Sequence, residues 1–302
     1  MTKAILTTKV VPTYDDLPEE RYHFPRAYLN QLQQAVGDFI IYYEPRRASG
    51  EANSRGGRQA YFAVARVLAV EPDPSRPDHY YARIGDYLDF DRAVPFREGE
   101  HYYESGLQRD DGKTSKGAFG RAVRSLPEHE FDSILRAGFA GDDLTLPAAS
   151  EVAPGLPHGF AEPQADFERP IVESLVARPF RDQAFTRQVR AAYDNRCAVT
   201  GLRLINGGGR PEVQAAHIRP VASAGPDSVR NGLALSGTAH WMFDRGLLAI
   251  DDDLGILTMS RGLPEDAARL IVPDRCLRLP ADATLHPHRQ FLRWHRENVF
   301  KG

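Results

Sequence analysis

The sequence is poor in cysteine, with only Cys197 and Cys276 among its 302 residues. Two cysteines exclude a disulfide framework and the four-ligand cysteine set of a structural zinc site. No apolar run approaches the roughly 18 to 20 residues that a membrane helix needs. The N-terminus also lacks the positive start, apolar centre and cleavage site of a secretory signal. These absences predict a cytoplasmic protein with no structural zinc and no membrane partner.

Lysine is scarce as well, because only five of the 38 basic residues are lysines. Arginine suits bidentate contacts with phosphate, although a coding bias explains the excess equally well. The formal net charge of -3 argues weakly against a general nucleic-acid coat protein. What the chain does contain is 42% hydrophobic and 26% charged residues, which is typical of a globular protein. Its length is sufficient for two ordinary domains.

The two halves of the chain differ in their aromatic residues. Eleven of the twelve tyrosines precede residue 104, whereas both tryptophans follow residue 240. Between the halves, residues 141–170 are rich in proline, alanine and acidic side chains without a sustained period, which is typical of a linker. We therefore predict an N-terminal domain at 1–140, a linker at 141–175 and a C-terminal domain at 176–302.

The N-terminal half carries the pattern of a β-rich domain. Aromatic and β-branched residues, bounded by Gly, Pro and Asp, indicate strands within 36–47, 58–73 and 79–96. Helical spacing at 24–36 and again within 115–139 indicates flanking helices. This half is therefore predicted to be a small β-barrel with flanking helices, which makes the chain an α+β protein.

The C-terminal half has a different order of elements. An amphipathic helix is predicted at 181–197, followed by a β-hairpin at 197–220 whose turn is the glycine run at 206–209. Ser236 is the expected N-cap of a later, apolar helix. The predicted order is helix, hairpin, loop and helix.

Three polar residues of this half have the spacing of a site for phosphodiester hydrolysis. His240 and Asp244 are four residues apart, so on a helix they share a face and can bind one divalent cation. His217 precedes a turn-rich segment that leads back toward that helix, and a neutral histidine accepts protons at cellular pH. Hydrolysis needs a base beside a water and a cation beside the phosphate. A buried hydrogen-bond cluster is the alternative.

The stretches "AAHIRP", "NG" and "AHWMFDRG" resemble, in order and spacing, the HNH nucleases, whose site is a ββα-metal finger. By that resemblance, His217 is the general base, Asn231 braces the loop between strand and helix, and His240 is a catalytic metal ligand. Asp244 takes a second ligand position that many relatives fill with histidine. The resemblance implies one divalent metal ion as cofactor, Mg²⁺ or Mn²⁺.

The sequence departs from the HNH pattern at two positions. Ala216 stands where relatives often have a metal-binding Asp or His, so a further ligand must come from water or from another residue, with Glu212 and Gln214 as candidates. Thr200 stands where many relatives have the second cysteine of a structural zinc pair. The finger is therefore expected to rely on its apolar core.

The N-terminal stretch "YHFPRAYLNQLQQAVGDFIIYYEPRR", with "AVARVLAV" and "GAFGRAVRSL" after it, is similar to the PUA superfamily, especially its EVE-like members. Such domains bind modified bases in nucleic acid. A flipped-out base is held by stacking on aromatic rings and by polar groups at its edge. Burial in the core is the alternative for every candidate. The candidates for this pocket are Tyr22, His23, Phe24, Tyr28, Asp38, Tyr43 and Tyr103.

Basic residues around this pocket are candidates for contacts with DNA phosphates. A glycine-rich basic segment at 46–58 is typical of a loop that orders on phosphate, or of an ordinary solvated hairpin loop. On the nuclease side one arginine follows the metal-binding helix, where solvent exposure is the alternative. The phosphate candidates are Arg46, Arg47, Arg55, Arg58 and Arg245.

Fusions of EVE-like domains to HNH nucleases resemble modification-dependent restriction enzymes. The sequence therefore predicts a metal-dependent endonuclease that flips 5-methyl- or 5-hydroxymethylcytosine out of double-stranded DNA and cuts nearby, restricting foreign DNA. Since an HNH domain cuts one strand per site, a homodimer on DNA is expected. One alternative is a nuclease of a mobile element or toxin system whose N-terminal domain binds unmodified DNA or a protein. Another is a non-catalytic DNA-binding module with an inactive finger, suggested by Ala216.

Overall fold

The computed structural model describes residues 3–8, 16–46, 57–139 and 178–302. The linker predicted at 141–175 lies outside those residues. The described part of the N-terminal half has these strands: β1 (Lys3–Thr7), β2 (Arg21–Pro25), β3 (Phe39–Glu44), β4 (Ala60–Pro72), β5 (His79–Pro95), β6 (Arg97–Glu98), β7 (His101–Tyr102) and β8 (Val123–Leu126). Its helices are α1 (Leu29–Gln34), α2 (Lys116–Phe119) and α3 (Glu128–Gly138).

Six of these strands form one sheet in the order β2-β5-β4-β3-β1-β8. Only the β1–β3 pair of this sheet is parallel. The two longest strands, β4 with 13 residues and β5 with 17, shift register at three places along their pairing. Such bulges bend a strand and increase its twist. The sheet curls into a half-barrel, which confirms the predicted α+β class with its small barrel-like sheet.

Both faces of the curled sheet are covered. Successive residues of a strand point to opposite faces, and all of β3 is buried. Ile41 and Tyr43 belong to a core cluster that includes Phe131 of α3, whereas Ile40 belongs to a second cluster that includes Leu32 of α1. The helix predicted at 24–36 is therefore real but shorter than expected, and it follows a turn of 3-10 helix.

The C-terminal half surrounds a separate core with short elements. Its helices are α4 (Arg178–Ala192), α5 (Gly237–Asp244), α6 (Glu265–Ala268) and α7 (Arg289–Asn298). Its strands are β9 (Gln214–His217), β10 (Gly232–Leu235), β11 (Leu248–Ile250) and β12 (Ile256–Thr258). The antiparallel β9–β10 pair leads directly into α5, which gives the ββα order. Across both halves, the helices that the structure describes include none that is long and apolar enough to span a bilayer.

The hairpin predicted at 197–220 differs in the structure. The glycine turn forms, with Gly209 N donating to Asn206 O, but the flanking chain pairs only through an isolated bridge between Ile205 and Pro211. The two hydrogen bonds of this bridge run from Asn206 N to Arg210 O and from Glu212 N to Leu204 O. His217 instead ends the first strand of the β9–β10 pair, where it lies opposite Gly232.

The apolar helix predicted after Ser236 is also shorter than its apolar stretch. It ends at Asp244, and Leu248 and Ile250 are buried as part of β11. Gly246 ends the helix because its φ of +72° favours glycine, and because an added Cβ would lie 2.0 Å from Val299 O. The chain therefore turns at Gly246 and passes close to the C-terminal segment.

Helix α4 lies between the two halves. Phe180 and Ala184 pack in the core of the sheet, whereas Phe185 and Val189 pack in the C-terminal core. Gly232 permits this close packing, since an added Cβ would lie 2.5 Å from the side chain of Val189. The start of the C-terminal domain at residue 176 stays a prediction, but the described helix that follows it contributes to both cores.

Candidate active site

His217 is held on two sides at the end of β9. Its ring stacks on Phe185 of α4 with the centroids 3.8 Å apart and the planes at 11°. Its Nε2 lies 2.9 Å from Oδ1 of Asp227, whose side chain is fully buried. A ring fixed by a stack and a hydrogen bond cannot rotate freely, which is the condition for a positioned general base.

Asp227 determines which nitrogen of His217 carries the proton. Burial raises the pKa of the Asp227 carboxyl, but its hydrogen bond with His217 and the charges of Arg181 and Arg178 lower it further, so the net pKa lies below the ordinary value. An ionised carboxylate only accepts hydrogen bonds, so Nε2 of the histidine must donate. In the neutral ring this leaves Nδ1 as the proton acceptor.

Asn231 braces the loop that joins β9 to β10. Its Oδ1 accepts from Arg219 N at 2.9 Å, and its Nδ2 donates to Arg219 O at 3.0 Å and to Pro226 O at 2.9 Å. The residue is fully buried. A buried amide with three hydrogen bonds fixes both ends of the loop that carries Asp227.

His240 and Asp244 lie on one face of α5, as their spacing predicts. Nε2 of His240 is 3.4 Å from Oδ2 of Asp244, and Nδ1 of His240 is 2.7 Å from Oε1 of Gln214. The amide oxygen accepts a hydrogen bond from Nδ1–H, which in the neutral ring leaves Nε2 unprotonated and directed at the carboxylate side. Gln214 therefore orients the histidine.

The donor set of this pair fits a divalent cation. One imidazole nitrogen and one carboxylate oxygen suit ions of the Mg²⁺ to Zn²⁺ series, and water or phosphate can fill the remaining positions. Within the described ranges, no group of three or more His, Cys, Asp or Glu side chains is arranged to hold a metal. Glu212 is engaged elsewhere, since its Oε1 accepts from Gly237 N at 2.8 Å at the start of α5. Ala216 is buried in the core.

One cleft of about 480 Å³ brings the predicted base and the predicted ligands together, because His217, His240 and Asp244 all line it. His295 lines it as well, but its Nε2 bonds Phe243 O at 3.1 Å and its ring stacks on Phe243. Burial lowers the pKa of His295 to about 4, so the ring is a neutral packing group. Arg245 is exposed at the end of α5.

The structure does not bring the seven predicted base-pocket residues into one pocket. Tyr22 and Phe24 are buried in one core cluster, whereas Tyr43 and Tyr103 are buried in the cluster on the opposite face of the sheet. Tyr28 is half-buried, and its hydroxyl accepts from Ala122 N. These aromatic side chains pack the two faces of the sheet.

The two polar candidates of that pocket are both engaged by buried partners. His23 lies 2.9 Å from Asp73, and Asp38 binds Lys3. Among the phosphate candidates, Arg46 is exposed, while Arg47 and Arg55 lie outside the described residues. Arg58 binds Glu44 at 2.8 Å and lies over the Phe62 ring, 4.6 Å from its centroid.

A cavity of about 460 Å³, here named the seam cavity, lies between the two halves. Phe62 and Tyr87 supply aromatic walls from β4 and β5, and residues 283–289 close it from the C-terminal half. Three buried carboxyl groups, those of Glu19, Glu44 and Asp89, line it. Glu19 has one oxygen bound to Arg230 at 2.9 Å and its other oxygen, Oε2, without a partner, and burial raises the pKa of Asp89.

Sequence reasoning missed Asp227, Gln214 as an orienting group, and the seam cavity. An acidic residue in the loop just before "NG" was the available signal for Asp227. The residues of the seam cavity come from distant segments, so their proximity is visible only in the folded chain.

Comparison with known proteins agrees with this geometry. The model of the HNH endonuclease family matches residues 197–251, which include the predicted base, the brace and both predicted ligands. No curated protein matches the chain. Among solved structures, the chain is similar to the modification-dependent TagI restriction endonuclease, with 16% identity, TM-score 0.30, and coverage of 98% of this chain and 81% of that one.

Two further solved structures are also similar to the chain. The N-terminal domain of Staphylothermus marinus McrB has 9% identity and TM-score 0.31, covering 44% of this chain and 92% of that one. ScoMcrA, a Type IV phosphorothioation-dependent restriction endonuclease, has 12% identity and TM-score 0.19, covering 79% and 52%. The family match confirms the enzyme class predicted from the sequence: the chain is a nuclease with an HNH endonuclease domain at residues 197–251.

Proposed function

We propose that this nuclease hydrolyses double-stranded DNA near a modified cytosine, 5-methyl or 5-hydroxymethyl, and so restricts foreign DNA. The observation that carries the nuclease part is the shared cleft, where His217 faces the same space as His240 and Asp244 within the HNH segment. A base and a pair of metal ligands around one opening are what phosphodiester hydrolysis requires.

In the proposed reaction, Nδ1 of His217 accepts a proton from water while the water oxygen attacks phosphorus. The bond from phosphorus to the leaving sugar oxygen breaks, and that oxygen is protonated from solvent. When bound, a divalent cation such as Mg²⁺ or Mn²⁺ on His240 and Asp244 supplies positive charge beside the phosphate and the leaving oxygen. Asn231 and Asp227 keep the base in place throughout.

The seam cavity supports the reading of a flipped base. Its volume lies within the roughly 300 to 1,000 Å³ of small-molecule sites. Phe62 and Tyr87 supply aromatic walls, and the unpartnered Oε2 of Glu19 can accept from an exocyclic amino group such as that of cytosine. In this proposal the flipped base therefore binds in the seam cavity, which is formed by residues other than those predicted from the sequence.

The test is digestion of one plasmid in unmodified, methylated and hydroxymethylated forms, with Mg²⁺, Mn²⁺ or EDTA. We expect cutting only with metal and only of one or both modified forms. Equal cutting of all three forms would contradict the modified-cytosine reader and favour binding of unmodified DNA or a protein. Absence of strand breaks with every metal would favour the inactive finger.

A pair of variants separates the reader from the nuclease. Glu19→Gln removes the charge of the Glu19 carboxylate from the seam cavity, so we expect loss of preference for modified DNA. Glu71→Gln is the matched control, since Glu71 binds Arg83 on the exposed part of β4. Retention of the preference by Glu19→Gln would exclude the seam cavity as the reader, without affecting the nuclease assignment.

A further inference from the structure

A chain of charged groups joins the N-terminal sheet to the catalytic base. The guanidinium of Arg181 on α4 lies between two carboxylates, with Nη1 at 2.5 Å from Oδ1 of Asp86 and Nη2 at 2.7 Å from Oδ2 of Asp227. The other oxygen of Asp227 binds His217 at 2.9 Å. Asp86 belongs to β5 of the N-terminal sheet, so two residues, Arg181 and Asp227, separate that sheet from the base.

The loop that carries Asp227 is also docked directly on β5. Asp227 forms a parallel backbone bridge with Leu88. Asp89 accepts from Val229 N at 3.0 Å and from Ser228 Oγ at 3.2 Å. The position of this loop therefore depends on the N-terminal sheet as well as on the nuclease core.

The buried carboxylate of Asp227 requires a cationic partner, and Arg181 supplies one. Asp227 is fully buried, and a buried carboxylate without a cationic partner is strongly destabilised. The side chain of Arg181 is 11% exposed, whereas Arg178, the second cation on Asp227, is 40% exposed and 3.1 Å away. Arg181 is thus the less exposed of the two cations on Asp227. The other terminal nitrogen of its guanidinium binds Asp86.

We propose that Arg181 and Asp86 are positioning residues through which the N-terminal half holds Asp227, and thereby the His217 base, in its working geometry. The proposal rests on the proposed function in that His217 is the base. The same strand β5 lines the seam cavity with Tyr87 and Asp89, so a nucleotide bound there contacts the strand that anchors the catalytic loop. Occupancy of the reader is in this way linked to the orientation of the base.

The test compares two isosteric variants of the full chain, Asp86→Asn and Asp91→Asn. Both weaken an ion pair between β5 and α4, because Asp91 binds Arg187 at 2.6 Å just as Asp86 binds Arg181. Only Asp86 leads on to Asp227. Asparagine is chosen because Asp86 has a φ of +49°, which asparagine tolerates better than alanine. Asp227→Asn serves as the reference for a misplaced base.

We expect Asp86→Asn to slow single-turnover cutting by about 10²-fold, since small displacements of a reacting group have effects of that size. Asp91→Asn is expected to cut at the wild-type rate. Binding of the DNA in EDTA should be the same for all chains. Equal losses in the two variants, or a loss in neither, would overturn the proposal, because the ion pairs would then serve only to dock the halves.

The ring nitrogens of His217 give a readout that does not require cutting. In ¹⁵N spectra assigned by difference with His217→Ala, the wild type should show the tautomer protonated at Nε2. We expect Asp227→Asn and Asp86→Asn to mix the tautomers and Asp91→Asn to retain one. An unchanged spectrum in Asp86→Asn refutes the coupling even if the plasmid panel fails, and a changed spectrum supports it in that case too.

Discussion

The two sides of the catalytic cleft are built differently. On the base side, His217 stacks on Phe185 and binds Asp227, which is held in turn by two arginines. On the metal side, the Asp244 side chain is 56% exposed, and the ring of His240 has one orienting contact from Gln214. The proposed base is fixed before the substrate arrives, whereas the proposed metal side is open.

This difference follows from what each side must do. A general base acts only if its nitrogen already faces the attacking water, so its orientation has to be part of the fold. A catalytic metal site must leave coordination positions open for water and phosphate. Loss of the proposed base should therefore lower the rate at every metal concentration. Loss of an orienting contact on the proposed metal side should be compensated by a higher metal concentration.

The largest expected effect is that of His217→Ala. Removal of a general base lowers the rate by about 10² to 10⁴-fold, and additional metal cannot replace the proton acceptor. We expect single-turnover cutting to fall by that amount at every Mn²⁺ concentration, with DNA binding in EDTA unchanged. The exposed His101 on β7 supplies the control variant His101→Ala, which should cut normally. Wild-type cutting by His217→Ala would remove this residue from the mechanism.

Gln214→Ala should have a smaller effect that metal can reverse. Residues that orient a ligand typically contribute about 10 to 100-fold to metal affinity or activity. We expect the Mn²⁺ concentration for half-maximal cutting to rise by about that factor, with the rate at saturating metal close to wild type. His240→Ala, which removes the ligand itself, should require still more metal.

Glu212→Ala is the matched control for Gln214→Ala, since it lies two residues earlier and caps α5 at Gly237 N. Its loss should lower the free energy of unfolding by about 1 kcal/mol and leave the metal requirement unchanged. If both variants shift the metal requirement alike, the effect belongs to the helix and Gln214 has no orienting role.

Motif spacing predicts which side chains of α5 share a face, because helical geometry is local. His240 and Asp244 share a face by periodicity alone, and the family match covers the segment that holds them and His217. Asp227 was not predicted, because its role depends on contacts with α4 and β5 that are distant in sequence. The same limit applies to Arg181, whose partners lie 95 and 46 residues away.

For the N-terminal half, the sequence predicts the fold class but not which aromatic side chains share a pocket. Alternating aromatic and β-branched residues indicated strands correctly, but β3 is buried on both faces, so aromatic residues alone could not reveal a pocket. Tyr22 and Tyr43, for example, are buried on opposite faces of the sheet. In the C-terminal half, the described chain around the glycine turn forms an isolated bridge between Ile205 and Pro211, and His217 pairs instead in the β9–β10 ladder.

The smallest expected effect concerns stability rather than chemistry, and it comes from His295 behind the metal side. Burial lowers the pKa of this residue to about 4, and likewise that of His288. An unfolded histidine has a pKa near 6.5, so between these values the unfolded chain binds protons that the folded chain does not. Stability from each residue is therefore complete above about pH 6.5 and declines by about 1 kcal/mol per pH unit toward pH 4.

His295→Gln should remove one of these two contributions. We expect the variant to be less stable than wild type at pH 8, because the stack on Phe243 is lost, but to lose less stability on transfer to pH 5. Urea unfolding at the two pH values measures both. Phe243→Leu removes the other ring of the stack and keeps the histidine, so it should lower stability while retaining the wild-type acid slope. An unchanged slope in His295→Gln would mean that this ring is protonated in the folded chain, and the metal side would then face a charge.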